Sequence, residues 1–358
     1  MKAAVISLGS TSSQWVAEAM ASHFQQVDMI QLKEIEVHLG KEAGIFYHGK
    51  PLPSYDCVYL KGSFHYAHLL RSLASMLEGQ VPYLPLKANS FTIVHNKLLT
   101  HLVLQQKNIP MPRTYVSPTI AMAKSLLQAV HYPIVMKFPE GTQGKGVMFA
   151  DSYASASSLL DALGALRQPF IIQEYIETSG TDIRTLVVGN KVLAAMRRTA
   201  KTDEKRANLH AGGQGESVTL SSEVQAIAIN TAKALEADVC GVDILESPLG
   251  PLVIEANISP GLQGIQKTTK INLAEKIAHF FAQKTEEALQ TVKEKNSKEV
   301  MKEIKMNGGT AQEIVTTLQF CGQRILLPEI ATAFTKFNDQ KEYILRVKQG
   351  KMEIEEMK

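Results

Sequence analysis

Apolar residues recur along this chain in short runs that switch between a strand period and a helix period. Ala3 to Ser7 is continuously apolar and reads as a buried strand, which ends in Gly9-Ser10-Thr11-Ser12-Ser13 and passes into a helix through Trp15, Val16 and Met20. Strand-like runs at Val27 to Ile30 and Tyr55 to Lys61, a helix over His65 to Leu77 and a strand over Tyr83 to Leu86 complete a small α/β domain over residues 1–88. A longer domain is expected over 89–290. It opens on a helix with Ile93, Leu98, Leu99, Leu102 and Leu104 that carries Lys97 and stops before Asn108-Ile109-Pro110-Met111-Pro112. A helix Ala121 to Val130, a strand Pro133 to Lys137, a glycine loop, a strand Gly146 to Ala150, a helix Ala154 to Leu166 and a strand Phe170 to Tyr175 follow.

From Ile183 to Arg198 two strands flank Gly189-Asn190, a dipeptide suited to a tight hairpin. After a helix Glu223 to Leu235, a second hairpin pairs Cys240 to Glu246 with Leu252 to Asn257 through Ser247-Pro248-Leu249-Gly250. An amphipathic helix Asn272 to Leu289 closes the domain. Residues 291–358 read as a charged exposed helix or linker over Thr291 to Lys305 and a small extension, with a helix near Thr310 to Leu318 and a hairpin of Glu342 to Lys348 with Met352 to Glu356. The fold class is α/β (α+β). The strands lack the regular parallel spacing of a dinucleotide fold.

Length and composition agree with several folded domains and exclude other classes. The 358 residues are 45% hydrophobic and 20% charged, values of ordinary folded chains rather than disordered or fibrous ones. No apolar run is long enough to span a membrane, and the apolar stretch behind Lys2 is too short for a secretory leader. A net charge of +3 is too small for a duplex nucleic-acid partner but allows small anionic ligands. Cys57, Cys240 and Cys321 form no CxxC pair, which argues against a zinc site or disulfide framework and fits a reducing cytoplasm.

Candidate chemistry is carried by four segments. A hairpin centred on Leu249 sets Asp243 opposite Glu255, with Asn257 on the same face and Val242, Ile244, Ile254 and Ala256 on the other. Facing carboxylates repel unless a cation lies between them, and hard oxygen donors suit Mg²⁺ or Mn²⁺ bound together with phosphates; a solvated polar strand face is the alternative. The loop Glu140-Gly141-Thr142-Gln143-Gly144-Lys145-Gly146 lets backbone amides approach phosphate oxygens, and Lys137 ends the strand entering it; a plain hairpin turn gives the same pattern. It is neither a Walker loop nor GxGxxG. Gln173-Glu174-Tyr175-Ile176 ends a strand before Thr181-Asp182-Ile183-Arg184, where free backbone groups can read an adenine edge and a carboxylate can take ribose hydroxyls, or the chain simply leaves the sheet. Arg197, Arg198, Lys201, Arg206 and Asn208 through Gly213 form a basic, glycine-bearing loop that can close over phosphates or remain a solvated surface. His65, His68, His95, His101 and His210 lack a metal or triad context and read as structural or surface residues.

Taken in order, Met136-Lys137-Phe138-Pro139-Glu140-Gly141-Thr142-Gln143-Gly144, Gln173-Glu174-Tyr175-Ile176, Asp182-Ile183-Arg184, Ala207-Asn208-Leu209-His210, Cys240-Gly241-Val242-Asp243-Ile244-Leu245 and Glu255-Ala256-Asn257-Ile258-Ser259-Pro260-Gly261-Leu262 resemble the ATP-grasp superfamily. The match is closer still to its RimK-type branch of ATP-dependent α-L-glutamate ligases, from residue 1 to about 288. The resemblance implies an ATP-grasp fold behind an N-terminal pre-ATP-grasp domain. It implies that Lys97, Lys137, Gly141, Gly144, Gln173, Glu174, Tyr175, Ile176, Asp182, Arg206 and Asn208 bind ATP, and that Asp243, Glu255 and Asn257 hold two Mg²⁺ or Mn²⁺ ions. Arg198 and Arg184 are the catalytic candidates, Arg198 for stabilising an acyl phosphate and the later oxyanion.

The implied reaction activates a carboxylate as an acyl phosphate for attack by an amine, with L-glutamate as the amino acid and a protein C-terminus or small molecule as acceptor. The alternatives are the same chemistry with another amino acid in biosynthesis, and a non-catalytic ATP-binding module. Homo-oligomers are expected, as for such relatives. The sequence departs from the branch at Ala207, Ala211 and Gln263, and at Lys61 of Leu60-Lys61-Gly62, where ribosomal-protein modifiers tend to show arginine. These departures bear on the substrate more than on ATP.

Overall fold

The N-terminal apolar run forms strand β1 (Lys2–Ser7), followed by helix α1 (Thr11–Met20), in a computed structural model of the protein that describes residues 1–141, 146–200, 214–248, 250–306, 319–322, 324–327, 331–332, 335–338 and 340–357. Ser10 starts α1, its side chain accepting from Ser13 N as an N-cap. The chain continues through β2 (Gln26–Gln31), a small antiparallel sheet of β3 (Ile35–His38), β4 (Gly44–Tyr47) and β5 (Lys50–Pro51), then β6 (Cys57–Lys61) and α2 (Ala67–Leu77). β1 lies between β2 and β6 and is parallel to both, with Ser7 in register with Gln31 on one side and Lys61 on the other. Every residue of β6 is buried, as expected of a strand covered on both faces.

The expected strand Tyr83 to Leu86 is not a strand. Pro82 and Pro85 remove two backbone donors, leaving single bridges, Cys57 to Tyr83 and Leu86 to Ala237. The expected helix after Asn89 is two helices, α3 (Ala88–Val94) and α4 (Lys97–Gln106). Asn96 makes the break, its Oδ1 accepting from Leu98 N at 3.0 Å and Leu99 N at 3.2 Å, so that Lys97 becomes the first residue of α4.

A four-stranded antiparallel sheet follows, built from β7 (Thr114–Tyr115), β8 (Ile134–Lys137), β9 (Val147–Ala150) and β10 (Ile171–Glu174) in the order β7-β10-β8-β9. It packs with α5 (Ile120–Leu127) and α6 (Tyr153–Ala165) around a core of its own, including Leu127, Ile134, Met136, Leu160 and Ile172. The second antiparallel sheet has five strands in the order β13-β12-β11-β14-β15: β11 (Thr181–Val188), β12 (Lys191–Thr199), β13 (Gln214–Ser217), β14 (Val239–Ser247) and β15 (Gly250–Asn257), with α7 (Ser222–Ala234) between β13 and β14. Its core is continuous with that of the N-terminal parallel sheet, where Tyr59 meets Phe281 edge-on with ring centroids 5.0 Å apart.

α8 (Gln263–Thr269) follows, and α9 runs Leu273–Met306, so the charged stretch after Leu289 continues one helix that was expected to end there. The chain divides into two compact units, Met1–Ala288 and Leu289–Lys358. In the second, β16 (Gln319–Cys321) pairs with β17 (Arg324–Leu326), and β18 (Tyr343–Lys348) with β19 (Lys351–Glu356). The helix expected near Thr310 to Leu318 lies outside the described residues. Among the described residues no helix is long and apolar enough to cross a membrane.

Candidate active site

Strands β14 and β15 bring Asp243 directly opposite Glu255. They close at the Ser247/Gly250 pair rather than around Leu249, and a bulge between Asp243 and Ile244 restores the expected register further on. Ile254 is the extra residue, so Val253, fully buried, takes the core position expected of Ile254. The bulge corrects the apolar face and leaves the carboxylate pair intact. Asn257 is two residues beyond Glu255, its Oδ1 accepting from Ser259 N at 2.8 Å.

Next to this hairpin, β11 sets Arg184 in register with Asp243, and β12 sets Arg198 in register with Asp182. Arg184 Nε donates to Asp243 Oδ1, and Arg184 Nη2 donates to Asp243 Oδ2 at 2.6 Å. Arg198 donates to both oxygens of Asp182, at 2.6 and 2.7 Å, and to Asp243 Oδ2 at 2.8 Å. The four charges form one chain, Asp182, Arg198, Asp243, Arg184, buried except for its partly exposed Arg184 end. Burial pushes both carboxyls up, but two arginines bring Asp243 below the usual carboxylate range, whereas Asp182, with Arg198 as its closest cation, stays raised at about 6. Asp182, expected near a ribose, spends both oxygens on Arg198.

Lys97, at the start of α4, and Lys137, at the end of β8, bring two cations. Lys97 Nζ donates to the Gly141 carbonyl at 2.9 Å, and its backbone N–H to the Pro139 carbonyl at 2.8 Å. Gly141 has φ +135°, a conformation side chains disfavour, so the loop turns there without strain. Lys137 Nζ donates to Gln173 Oε1 at 2.6 Å, and Gln173 Nε2 to Thr114 Oγ1 at 2.9 Å. Burial pushes the Lys137 ammonium down to about 8 and lowers Lys97 too, while Glu255 pulls both back up. Glu255 also acts on Arg184, so its carboxylate lies among three cations, and among the described residues it makes no hydrogen bond or ion pair.

The strand exit is arranged differently from expectation. Glu174 Oε1 accepts from Arg113 N at 2.8 Å, so its carboxylate serves the backbone of the neighbouring segment. Tyr175 and Ile176 lie beyond the end of β10, with Tyr175 meeting Phe149 edge-on. Gly144, Arg206 and Asn208 lie outside the described residues. The structure therefore gathers Lys97, Lys137, Gln173, Asp182, Arg184, Arg198, Asp243 and Glu255, and turns Glu174 to a backbone contact.

Two histidines that the sequence left without a role, buried His101 and partly buried His95, lie beside this charge array. His101 shares the α4 face with Lys97 one turn earlier, and its Nδ1 is buried without a partner among the described residues. Burial pushes His101 and His95 down to about 4, with Lys97 adding to both, so each is neutral near pH 7. The Lys-x-x-x-His spacing was the available signal.

Asp243 and Glu255 offer hard oxygen atoms at facing positions, Asn257 offers another two residues along β15, and Glu255 has its oxygens free among the described residues. Among those residues no three His, Cys, Asp or Glu side chains form an all-protein cage. The set fits a cation shared with phosphates, which needs only one or two carboxylates.

The chain matches the family described as RimK-like ATP-grasp domain over residues 94–281. A probable alpha-L-glutamate ligase of Legionella pneumophila (strain Corby) is 40% identical over 238 residues, 66% of this chain and 79% of that protein. One from Saccharophagus degradans is 36% identical over 286 residues, 78% of this chain and 95% of that protein. Among solved structures, the ATP-grasp ligase PsnB complexed with minimal precursor, Mg and ADP superposes with a TM-score of 0.62 at 17% identity, covering 80% of this chain and 98% of that one. At that identity the likeness is one of fold.

Proposed function

The chain belongs to the RimK-like ATP-grasp family and is a ligase, and from that premise we propose that it joins L-glutamate through its amine to a carboxylate of a protein or small-molecule acceptor, converting ATP to ADP and phosphate. The observation that carries this reading is the array of Lys97, Lys137, Glu255, Arg184, Asp243 and Arg198, drawn from both antiparallel sheets and α4. Phosphoryl transfer needs neutralisation and positioning of charge more than a protein nucleophile, and this array supplies both.

In this reading an acceptor carboxylate oxygen attacks the γ-phosphorus as the bond to ADP breaks. The amine then attacks the acyl carbon, and phosphate leaves. Lys97 and Lys137 contact ATP phosphates, and the backbone after Gln173, at Glu174, Tyr175 and Ile176, meets the adenine. Arg198 and Arg184 face the acyl phosphate and the tetrahedral oxyanion. Asp182 holds Arg198 in position through two hydrogen bonds, sharing that arginine with Asp243. Asp243, Glu255 and Asn257 would hold Mg²⁺, which when bound offsets the negative charge of the phosphates. The names of the two glutamate-ligase relatives support glutamate as the amino acid.

The described thiols do not compete with this chemistry. Burial pushes Cys57 and Cys240 up to about 12, far from thiolate formation at neutral pH. The test is ADP and phosphate release from the purified full chain with Mg²⁺ and ATP, supplied with each amino acid and fractions of cell-extract small molecules and proteins. Release that requires both L-glutamate and an acceptor fraction supports the ligase. ATP hydrolysis indifferent to every amino acid contradicts it.

A further inference from the structure

At the carboxyl edge of the N-terminal parallel sheet lies a buried cation with no anion beside it among the described residues. Lys61 ends β6, is 6% exposed, and donates from Nζ to the Pro260 carbonyl at 2.7 Å. Burial alone pushes its ammonium down to about 8, with no described carboxylate acting on it. An ammonium has three donors, so one bond to a carbonyl leaves two to spend. Burying an uncompensated charge is costly, and an apolar side chain of the same length would avoid that cost.

Holding the Ser259–Leu262 turn does not require the charge. Gly62 N already donates to Ser259 Oγ at 3.1 Å, and Leu262 N to Ser12 Oγ at 2.9 Å. The neighbours of Lys61 are also polar. Ser7 and Gln31 stand in register across the sheet end, and Gln31 Oε1 is buried without a hydrogen-bond partner among the described residues. Because β1 lies between β2 and β6, this edge is a topological switch point, where open parallel sheets take their ligands.

The edge adjoins the charge array. A Cβ placed on Gly241 would lie 3.3 Å from Pro260 Cβ and 3.7 Å from Arg184 Cδ, so the residue whose carbonyl Lys61 holds is a near neighbour of a catalytic arginine candidate. We infer that Lys61 is a specificity-determining cation for a carboxylate of the substrate, with Gln31 and Ser7 forming the polar edge of that subsite, where Gln31 Oε1 accepts from an N–H of the same substrate. The inference rests on the ligase reading and adds to it the group that recognises the acidic substrate.

Two probes separate the possible sources of the carboxylate: L-glutamate, which carries the attacking amine, and N-acetyl-L-glutamate, whose blocked amine restricts it to the acceptor role. Calorimetric titration of the full chain with Mg²⁺·ADP present is expected to show Lys61→Met weakening one probe by at least about tenfold. Nucleotide affinity and melting temperature should stay close to those of the unaltered chain. Loss of L-glutamate alone assigns Lys61 to the incoming amino acid, and loss of N-acetyl-L-glutamate assigns it to the acceptor. Gln31→Leu, on a partly exposed strand end, should weaken the same probe by a smaller factor and carries the test if Lys61→Met does not fold.

The inference is overturned if both probes bind folded Lys61→Met as they bind the unaltered chain, if the unaltered chain binds neither, or if nucleotide and probe affinity fall together as for a structural clamp. A Lys61-dependent probe in a chain that releases no ADP with any amino acid and acceptor sinks the ligase reading while leaving the subsite standing.

Discussion

Lys137 shows how one partly buried side chain ties stability to function. Its ammonium has a neutral partner, Gln173 Oε1, and its raised affinity for losing a proton comes first from burial. The folded pKa of about 8 lies below the unfolded value of 10.5, so the cost of burying the charge is present in full below about pH 8. It is relieved as pH rises from there towards 10.5, where the unfolded chain still holds its proton and the folded one does not. The cost is on the order of 3 kcal/mol. Lys137→Met should therefore weaken binding of a non-hydrolysable ATP analogue by at least about tenfold, read by calorimetry. Urea denaturation should find the variant no less stable at pH 7.5 and should find a smaller gain in stability between pH 8 and 10 than in the unaltered chain. Unchanged nucleotide affinity would contradict the phosphate role of Lys137.

At the scale of elements, the β14–β15 hairpin separates two carboxylates that look equivalent in sequence. Asp243 is the shared partner of Arg184 and Arg198, whereas Glu255 is unbonded among the described residues and near three cations. Asp243→Asn leaves buried Arg198 and partly buried Arg184 with Asp182 as their one remaining carboxylate in the chain of charges and should lower stability by about 3 kcal/mol along with turnover. Glu255→Gln should abolish metal-dependent ATP turnover while thermal unfolding stays within about 2 °C of the unaltered chain. Equal destabilisation by the two variants, in paired melting and ADP-release assays, would contradict this division of roles.

The same hairpin marks what was legible in the sequence. Alternation placed Asp243 opposite Glu255, because a period of two and a turn within one residue of its true centre suffice for that. The exchange of Ile254 for Val253 was not legible, since a bulge depends on how two strands close rather than on apolarity. Nor were the Arg184–Asp243 and Arg198–Asp182 pairs, which need the register between β11 and its two neighbours. The break between α3 and α4 was readable in Asn96, a good N-cap residue, but the apolar spacing ran through it. Pro82 and Pro85 likewise carried the information against the strand expected there.

In the molecule as a whole, the Met1–Ala288 unit holds two cores. One belongs to the four-stranded sheet with α5 and α6; the other joins the N-terminal parallel sheet to the five-stranded sheet. The sequence suggested an N-terminal domain over 1–88 because its strands and helices alternate on their own, but periodicity carries no information on whether two sheets share a core. That sharing, through contacts such as Tyr59 with Phe281, holds Lys61 beside the Ser259–Leu262 turn.

The measurement that reaches the central claim most directly is incubation of the full chain with ATP, Mg²⁺, isotopically labelled L-glutamate and cell extract, with products read by mass spectrometry. The account predicts labelled glutamyl residues in amide linkage on a discrete acceptor, dependent on ATP and absent with Glu255→Gln. ADP formed without any labelled product, or labelling that proceeds equally without ATP, would contradict it.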